Sequence, residues 1–99
     1  MAEGGNLVSV DFEVFGKVQG VFFRRYTQKK AKELHIVGWV MNTHRGTVLG
    51  QLQGSTEAVK SMKHWLSKKG SRQSKIDKAE FRDERTIDST TYKSFTIKR

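Results

Sequence analysis

The chain contains no cysteine and no proline among its 99 residues. Without cysteine it has no disulfide framework, no thiolate nucleophile and no cysteine-ligated metal site. Without proline, its turns depend on glycine, asparagine and serine. No apolar run approaches the length of about 20 residues that a membrane-spanning helix needs. The opening segment MAEGGNLVSV also lacks the basic stretch and long apolar core of a secretory signal. We therefore expect a cytoplasmic protein without membrane insertion.

Acidic residues are scarce relative to basic ones. The chain carries 19 lysines and arginines against 10 acidic residues, which gives a net charge of +9. Such a surface attracts anions, so phosphates, nucleic acid and anionic membranes are the candidate partners. A chain of this length builds one core, and we expect one domain with one functional site.

Apolar residues recur with two different periods along the sequence. Val8, Val10, Phe12 and Val14 alternate with polar residues, which is typical of a half-buried strand. Helical spacing follows at residues 22–34 and 55–70; Ser55 or Thr56 can cap the second helix and Gly70 can end it in the αL conformation. Further β-rich runs lie at residues 35–41, 46–53, 79–81 and 95–97. The predicted order is βαββαβ with a short extra C-terminal strand.

These elements predict an α+β fold. Because each element has one apolar side, we expect a single antiparallel sheet with both helices on one face. Residues 1–6 are expected to form a flexible tail and residues 7–99 the single domain. Most of the large aromatic side chains are expected in the core, namely Phe12, Phe22, Phe23, Trp39, Trp65, Phe81 and Phe95.

The segment FGKVQGVFFRRY, residues 15–26, joins the first strand to the first helix. Gly16 and Gly20 tolerate backbone angles that other residues avoid, and a helix start offers unpaired N–H groups to an anion. Arg24 and Arg25 lie about 100° apart around the helix, so only one of them is expected to face this loop. We favour Arg24, although periodicity alone does not distinguish them. By itself, a Gly-x-x-x-Gly turn is more often ordinary loop geometry.

Two longer motifs make the functional interpretation more specific. GKVQGVFFR at residues 16–24 and GWVMNTHRGTVLGQLQG at residues 38–54 closely resemble the acylphosphatase family in residues and spacing. The resemblance covers nearly the whole chain and implies a ferredoxin-like two-layer sandwich that hydrolyses carboxyl–phosphate bonds. Ser55 and Arg72 stand at or near positions where many relatives carry proline, and we expect these differences to affect stability only.

The resemblance also implies roles for individual residues. Arg24 matches the substrate-binding arginine, and Asn42 matches the asparagine that positions the attacking water. The backbone amides of a five-residue run match the phosphate cradle, namely Lys17, Val18, Gln19, Gly20 and Val21. Gly16, Thr43 and Thr47 are the expected supporting residues.

The residues present suit an acyl phosphate better than a phosphate monoester. A carboxylate leaving group, whose conjugate acid has a pKa of about 4, departs without protonation, so positioning and charge neutralisation can carry the catalysis. A monoester would need a nucleophile, a metal or a general acid, and His35, His44 and His64 are too far apart in sequence for a recognisable metal motif. We expect no metal and no cofactor, with inorganic phosphate as product and competitive inhibitor.

Other functions remain possible on the same architecture. Single-stranded RNA binders use an open sheet face with aromatic residues, but the third strand, GTVLGQLQG, contains none. No specific nucleic-acid partner is therefore expected. A non-catalytic module that binds phosphate or nucleic acid is the alternative to an enzyme. We expect a monomer acting on small acyl phosphates, and the sequence does not indicate which acyl group.

Overall fold

The computed structural model describes residues 6–71 and 73–98. Its elements follow the predicted order: β1 (Leu7–Lys17), α1 (Phe23–Glu33), β2 (Val37–Asn42), β3 (Val48–Ser55), α2 (Thr56–His64), β4 (Lys75–Ile87) and β5 (Phe95–Ile97). A π-helical turn, Trp65–Lys69, extends α2. Within the described ranges, no helix is long and apolar enough to cross a membrane.

Two expectations fall on the undescribed residues. The predicted tail lies outside the described residues except for Asn6, whose carbonyl accepts a hydrogen bond of 3.2 Å from the Thr56 backbone N–H. The substitution at Arg72 also lies outside them. At Ser55, by contrast, the hydroxyl accepts a bond of 3.1 Å from the Ala58 N–H, so the residue expected to cap α2 does so.

The five strands form one sheet in the order β4-β1-β3-β2-β5. Strand β1 pairs antiparallel with β3 and β4, and β3 pairs antiparallel with β2. Strand β5 pairs with β2 in parallel, so the prediction of a purely antiparallel sheet is wrong at this edge. The cause is the connection after β4: the chain reverses direction and crosses to the opposite edge, where it arrives parallel to β2.

The core lies between one face of the sheet and the two helices. The alternating residues predicted for β1 are buried together with the helix stripes Phe23, Thr27 and Ala31 on α1 and Val59 and Met62 on α2. Because both stripes join one cluster with the same strand face, both helices lie on that face. The ferredoxin-like sandwich is confirmed.

Phe22 is the exception among the predicted core aromatics. Its side chain is 68% exposed, whereas Phe12, Phe23 and Phe95 are buried and Trp39, Trp65 and Phe81 are partly buried. Phe22 precedes α1 in the left-handed conformation (φ 59°), which turns its ring away from the core. A non-glycine residue in this region is strained, and such strain often occurs at functional sites.

Helix α2 ends close to the predicted position but not in the predicted way. The π-helical turn extends it, and Gly70 then adopts φ 62° with ψ −163°. The αL conformation expected there is therefore wrong, although the positive φ still favours glycine.

Glycine at position 50 allows the sheet to pack against the core. A β-carbon added to Gly50 would lie 2.4 Å from the ring of Phe12 and 2.3 Å from the carbonyl oxygen of Trp39. Neither the backbone nor a buried ring can move that far, because the core around them is close-packed. At Gly46, in the loop after β2, an added β-carbon would meet no atom within 4 Å.

We expect Gly50→Ala to lower the free energy of unfolding by about 3 kcal/mol or more, since overpacking of this kind strains the core. Gly46→Ala is the matched control: its φ of 82° makes alanine unfavourable by about 1 kcal/mol without a steric clash. Urea denaturation of both variants measures the difference. Equal losses of stability would contradict the steric account of Gly50.

Candidate active site

The connection between β1 and α1 leaves several backbone donors free. Strand β1 ends at Lys17, so residues 18–22 form the connection. Within the described part of the chain, no backbone N–H of residues 19–22 has a hydrogen-bond partner. The helix start directly after them adds further unpaired N–H groups and the positive end of its dipole. Unpaired amides at a helix start form a potential anion site.

Two predicted loop residues have structural roles at the edge of this connection. Lys17 still lies within β1, where it pairs with Lys75 of β4. Gly16 has a φ of 126°, and a β-carbon there would lie 2.1 Å from the Lys75 carbonyl oxygen. Only glycine fits this close approach, so Gly16 supports the loop by letting β1 bend beside β4.

The predicted site residues meet around one cavity of about 530 Å³. Gly20, Arg24 and Asn42 all line it, although Asn42 lies in β2 and the other two precede or begin α1. Val18 also lines the cavity, and Phe22 contributes an exposed aromatic ring to its wall. The structure therefore brings both halves of the predicted site together.

Both neighbouring arginines line the same cavity. Arg24 is half-buried and Arg25 is exposed, and Arg25 also lines a second surface depression along α1. The expectation that only one arginine faces the loop is therefore wrong, because long, flexible side chains can reach one concavity from adjacent helix positions. Their different exposure still distinguishes Arg24 as the more constrained of the two.

The side chain of Gln19 connects the loop to the hairpin that carries Asn42. Its Nε2 donates to the carbonyl oxygens of Thr43, at 2.9 Å, and Thr47, at 2.8 Å. Those two residues flank the turn between β2 and β3, where the Thr43 N–H also donates to the Thr47 carbonyl at 2.9 Å. One carboxamide thus holds the loop at a fixed distance from the hairpin.

A chain of hydroxyls continues from the hairpin into the protein. Thr47 Oγ1 donates to Glu13 Oε2 at 2.6 Å. Because a hydroxyl has one proton, the contact of 2.6 Å between the two threonine hydroxyls must be a donation from Thr43 Oγ1 to Thr47 Oγ1. Thr43 Oγ1 in turn accepts from the Arg45 and Thr47 backbone N–H groups at 3.2 and 3.3 Å. Thr43 and Thr47, the expected supporting residues, thus connect the hairpin turn to Glu13 through hydrogen bonds.

This series of hydrogen-bonded hydroxyls ends on a buried carboxylate, that of Glu13. Glu13 is 2% exposed although it lies on the predicted polar face of β1. Arg45 pairs with it at 2.5 Å and Arg82 at 3.2 Å. The Thr47 hydrogen bond, helped by the two arginines, holds the pKa of Glu13 below its ordinary value against the opposing effect of burial. Glu13 is therefore ionised at neutral pH.

Sequence patterns did not indicate several contributors to this site. For Gln19 the sequence predicts only a backbone contact, and it predicts no role for Glu13 or Arg45. Ile97 of β5 also lines the cavity, and Gln28 of α1 donates to the Phe95 carbonyl at 2.9 Å. Each of these contacts joins residues distant in sequence, so local periodicity carries no signal for them.

Among residues 6–71 and 73–98, no group of three or more histidine, cysteine, aspartate or glutamate side chains could hold a metal ion. The donors at the cavity are amides, guanidinium groups and a carboxamide. These groups bind anions and orient water, and they are poor metal ligands.

Comparison with known proteins identifies close relatives of this arrangement. The sequence model of the Acylphosphatase family matches residues 10–97. The chain is 58% identical to acylphosphatase-1 of Mus musculus over 97 residues, which are 98% of both chains, and 57% identical to acylphosphatase-1 of Homo sapiens over the same share. The solved acylphosphatase of Coxiella burnetii superimposes with a TM-score of 0.82 at 31% identity, covering 99% of this chain and 100% of that one.

The lowered pKa of Glu13 provides a test of the hydrogen bonds that join Thr43 and Thr47 to this carboxylate. Because the carboxylate is stabilised only in the folded state, its contribution is present above the ordinary glutamate pKa of about 4.3 and is lost as pH falls through the lower, folded pKa. We expect Glu13→Gln to lower the free energy of unfolding by about 1–3 kcal/mol at pH 7, with the difference from the unmodified protein shrinking below pH 4.

Denaturation curves between pH 3 and 7 measure this difference. Glu33→Gln is the matched control, since Glu33 forms only a surface pair with Lys30 at 3.8 Å and its loss should have little effect. A stability gap for Glu13→Gln that stays constant down to pH 3 would argue against the assigned charge state.

Proposed function

The chain belongs to the acylphosphatase family and hydrolyses the carboxyl–phosphate bond of acyl phosphates, and we propose that this reaction takes place in the cavity beside residues 18–22. The observation that carries the proposal is the convergence of Arg24, Asn42 and Gly20 on one cavity next to unpaired loop amides. Arg24 lies at the start of α1 and Asn42 at the end of β2, so only the fold brings these two residues together.

The phosphoryl group is bound by the loop and by Arg24. The N–H groups of residues 18–21 donate to its oxygens, while the guanidinium of Arg24 forms two parallel hydrogen bonds. These donors neutralise charge on the equatorial oxygens, which a loose phosphoryl-transfer transition state retains. Arg25, being more exposed, adds mainly long-range attraction for the anion.

Asn42 orients the attacking water. A carboxamide is not a base near neutral pH, so it accepts a hydrogen bond from the water and holds its oxygen in line with phosphorus. As the new P–O bond forms, the bond from phosphorus to the acyl oxygen breaks and the carboxylate leaves with the electron pair. The proton of the water passes to a phosphoryl oxygen, so the products are a carboxylate and inorganic phosphate.

The two hydrogen bonds from Gln19 to the hairpin help to keep the attacking water in line with the phosphoryl group. Water and phosphoryl group are held by different segments, and an error of about 1 Å in their separation can reduce the rate about a hundredfold. Hydrogen bonds of 2.8 and 2.9 Å from one side chain fix that separation.

Because the cavity recognises the phosphoryl group itself, inorganic phosphate should compete with substrate. Action as a cytosolic monomer stays a prediction.

The two arginines provide a matched test of the phosphate contact. We expect Arg24→Ala to reduce kcat/KM for acetyl phosphate by about 30- to 1,000-fold, equivalent to about 2–4 kcal/mol, because its bidentate contact acts in both ground and transition states. Arg25→Ala removes the same charge from the same cavity and should cost much less. Similar losses in the two variants would show that general electrostatic attraction, rather than a bidentate contact, binds the phosphoryl group.

Substitutions at Asn42 test whether its side chain positions the attacking water. Asn42→Ala should lower kcat about a hundredfold or more while the affinity for inorganic phosphate changes little, because a transition-state interaction is lost. Asn42→Asp should also be nearly inactive and should bind phosphate more weakly than the alanine variant, since its charge repels the anion. Steady-state kinetics with phosphate inhibition measure both effects. A folded Asn42→Asp enzyme with near-normal kcat would overturn the water-positioning role.

A further inference from the structure

A second cavity is lined by residues of α1, α2 and the π-helical turn and of the segment that follows that turn. Its volume is about 980 Å³, at the upper end of the range typical of small-molecule sites. Lys30 of α1, Lys60 of α2 and Lys69 of the π-helical turn all line it. It shares no lining residue with the cavity that contains Arg24 and Asn42.

Positive charge is concentrated around this cavity. Three lysines face one acidic residue, Glu57, and His64 also lines the cavity. Within the described residues, Lys60 and Lys69 form no ion pair, and Lys30 has only its surface pair with Glu33. Three ammonium groups from three separate elements around one concavity repel one another, and an anion with several charges would relieve that repulsion.

The turn beside the cavity contains a polar group without a partner. Ser71 is 3% exposed and lines the cavity, and its hydroxyl has no hydrogen-bond partner among the described residues. A buried hydroxyl without a hydrogen-bond partner is uncommon in proteins. The preceding π-helical turn, Trp65–Lys69, is a rare conformation that occurs frequently at functional sites.

An aromatic surface completes the lining. Trp65 is partly buried, and its ring packs at 5.7 Å from that of Phe23, tilted by 38°. The remaining surface of the indole lines the cavity beside Lys69 and His64. A planar ring could stack there while a charged chain reaches the lysines.

We propose that this cavity binds a nucleoside polyphosphate, with the base against Trp65 and the phosphates among Lys30, Lys60 and Lys69. The aromatic wall favours a nucleotide over a simple polyanion, and the spread of the cations favours more than one phosphate. The contact between Trp65 and Phe23, which lines the reaction cavity, places the two sites next to each other in the core.

The test titrates the full-length protein with ATP in the presence of a chelator and follows binding by calorimetry and tryptophan fluorescence. We expect saturable one-to-one binding in the protein and in Arg24→Ala, which removes the phosphate contact of the reaction site. The double variant Lys60→Gln/Lys69→Gln should bind at least tenfold more weakly. Lys68→Gln is the control for charge, because Lys68 lies in the same turn but does not line the cavity; it should change the affinity less than twofold.

Two further probes test the aromatic contact. Trp65→Phe should weaken binding of ATP at least threefold but leave binding of inorganic tripolyphosphate unchanged, once circular dichroism and the melting temperature show that the variants are folded. The proposal is overturned if no saturable binding occurs, if Lys68→Gln weakens binding as much as the double variant, or if Arg24→Ala abolishes it. It is also overturned if ATP and tripolyphosphate bind equally well.

Discussion

The two hydrogen bonds of the Gln19 carboxamide connect the loop after β1 to the hairpin between β2 and β3. The loop after β1 and the hairpin after β2 belong to neighbouring regions of the sheet, but backbone pairing does not join them directly. Gln19 donates to both ends of the hairpin turn, at Thr43 and Thr47. An amide with two donors on one nitrogen suits this role, because it satisfies two carbonyl groups with a single side chain.

A second set of hydrogen bonds connects the hairpin to Glu13 of β1. Backbone N–H groups donate to Thr43, Thr43 to Thr47, and Thr47 to the Glu13 carboxylate, so every proton in the chain points toward one buried charge. Such an ordered series is cooperative in a medium of low dielectric. Removal of one member would leave a buried group unsatisfied, which destabilises more than the hydrogen bond itself contributes. The position of Asn42 thus depends on an acid that does not line the reaction cavity.

Sequence reasoning predicted the parts of this arrangement that depend on local pattern. The alternation along β1 and the helical stripes were enough to predict the order of elements. The roles of Arg24 and Asn42 at one site were implied by the resemblance of the two glycine-containing motifs to the acylphosphatase family. Sequence reasoning failed where the outcome depends on crossing connections or on single side chains. The parallel pairing of β5 depends on the path of residues 88–94, and the exposure of Phe22 depends on one backbone conformation before α1. The burial of Glu13 could not be predicted from local pattern, because its partners, Arg45 and Arg82, are 32 and 69 residues away.

The distribution of charge explains why a carboxamide, rather than a carboxylate, stands at position 42. Among the described residues, the cavity proposed for the reaction is lined by two arginines and by no acidic side chain. A base is unnecessary when the leaving group departs as a weakly basic carboxylate, whereas a negative charge near the phosphoryl group would oppose binding and the transition state alike. The one acid coupled to the site, Glu13, is neutralised by Arg45 and Arg82 and acts on the opposite side of the hairpin. Its charge therefore orders the hairpin that carries Asn42 without bringing a carboxylate into the cavity.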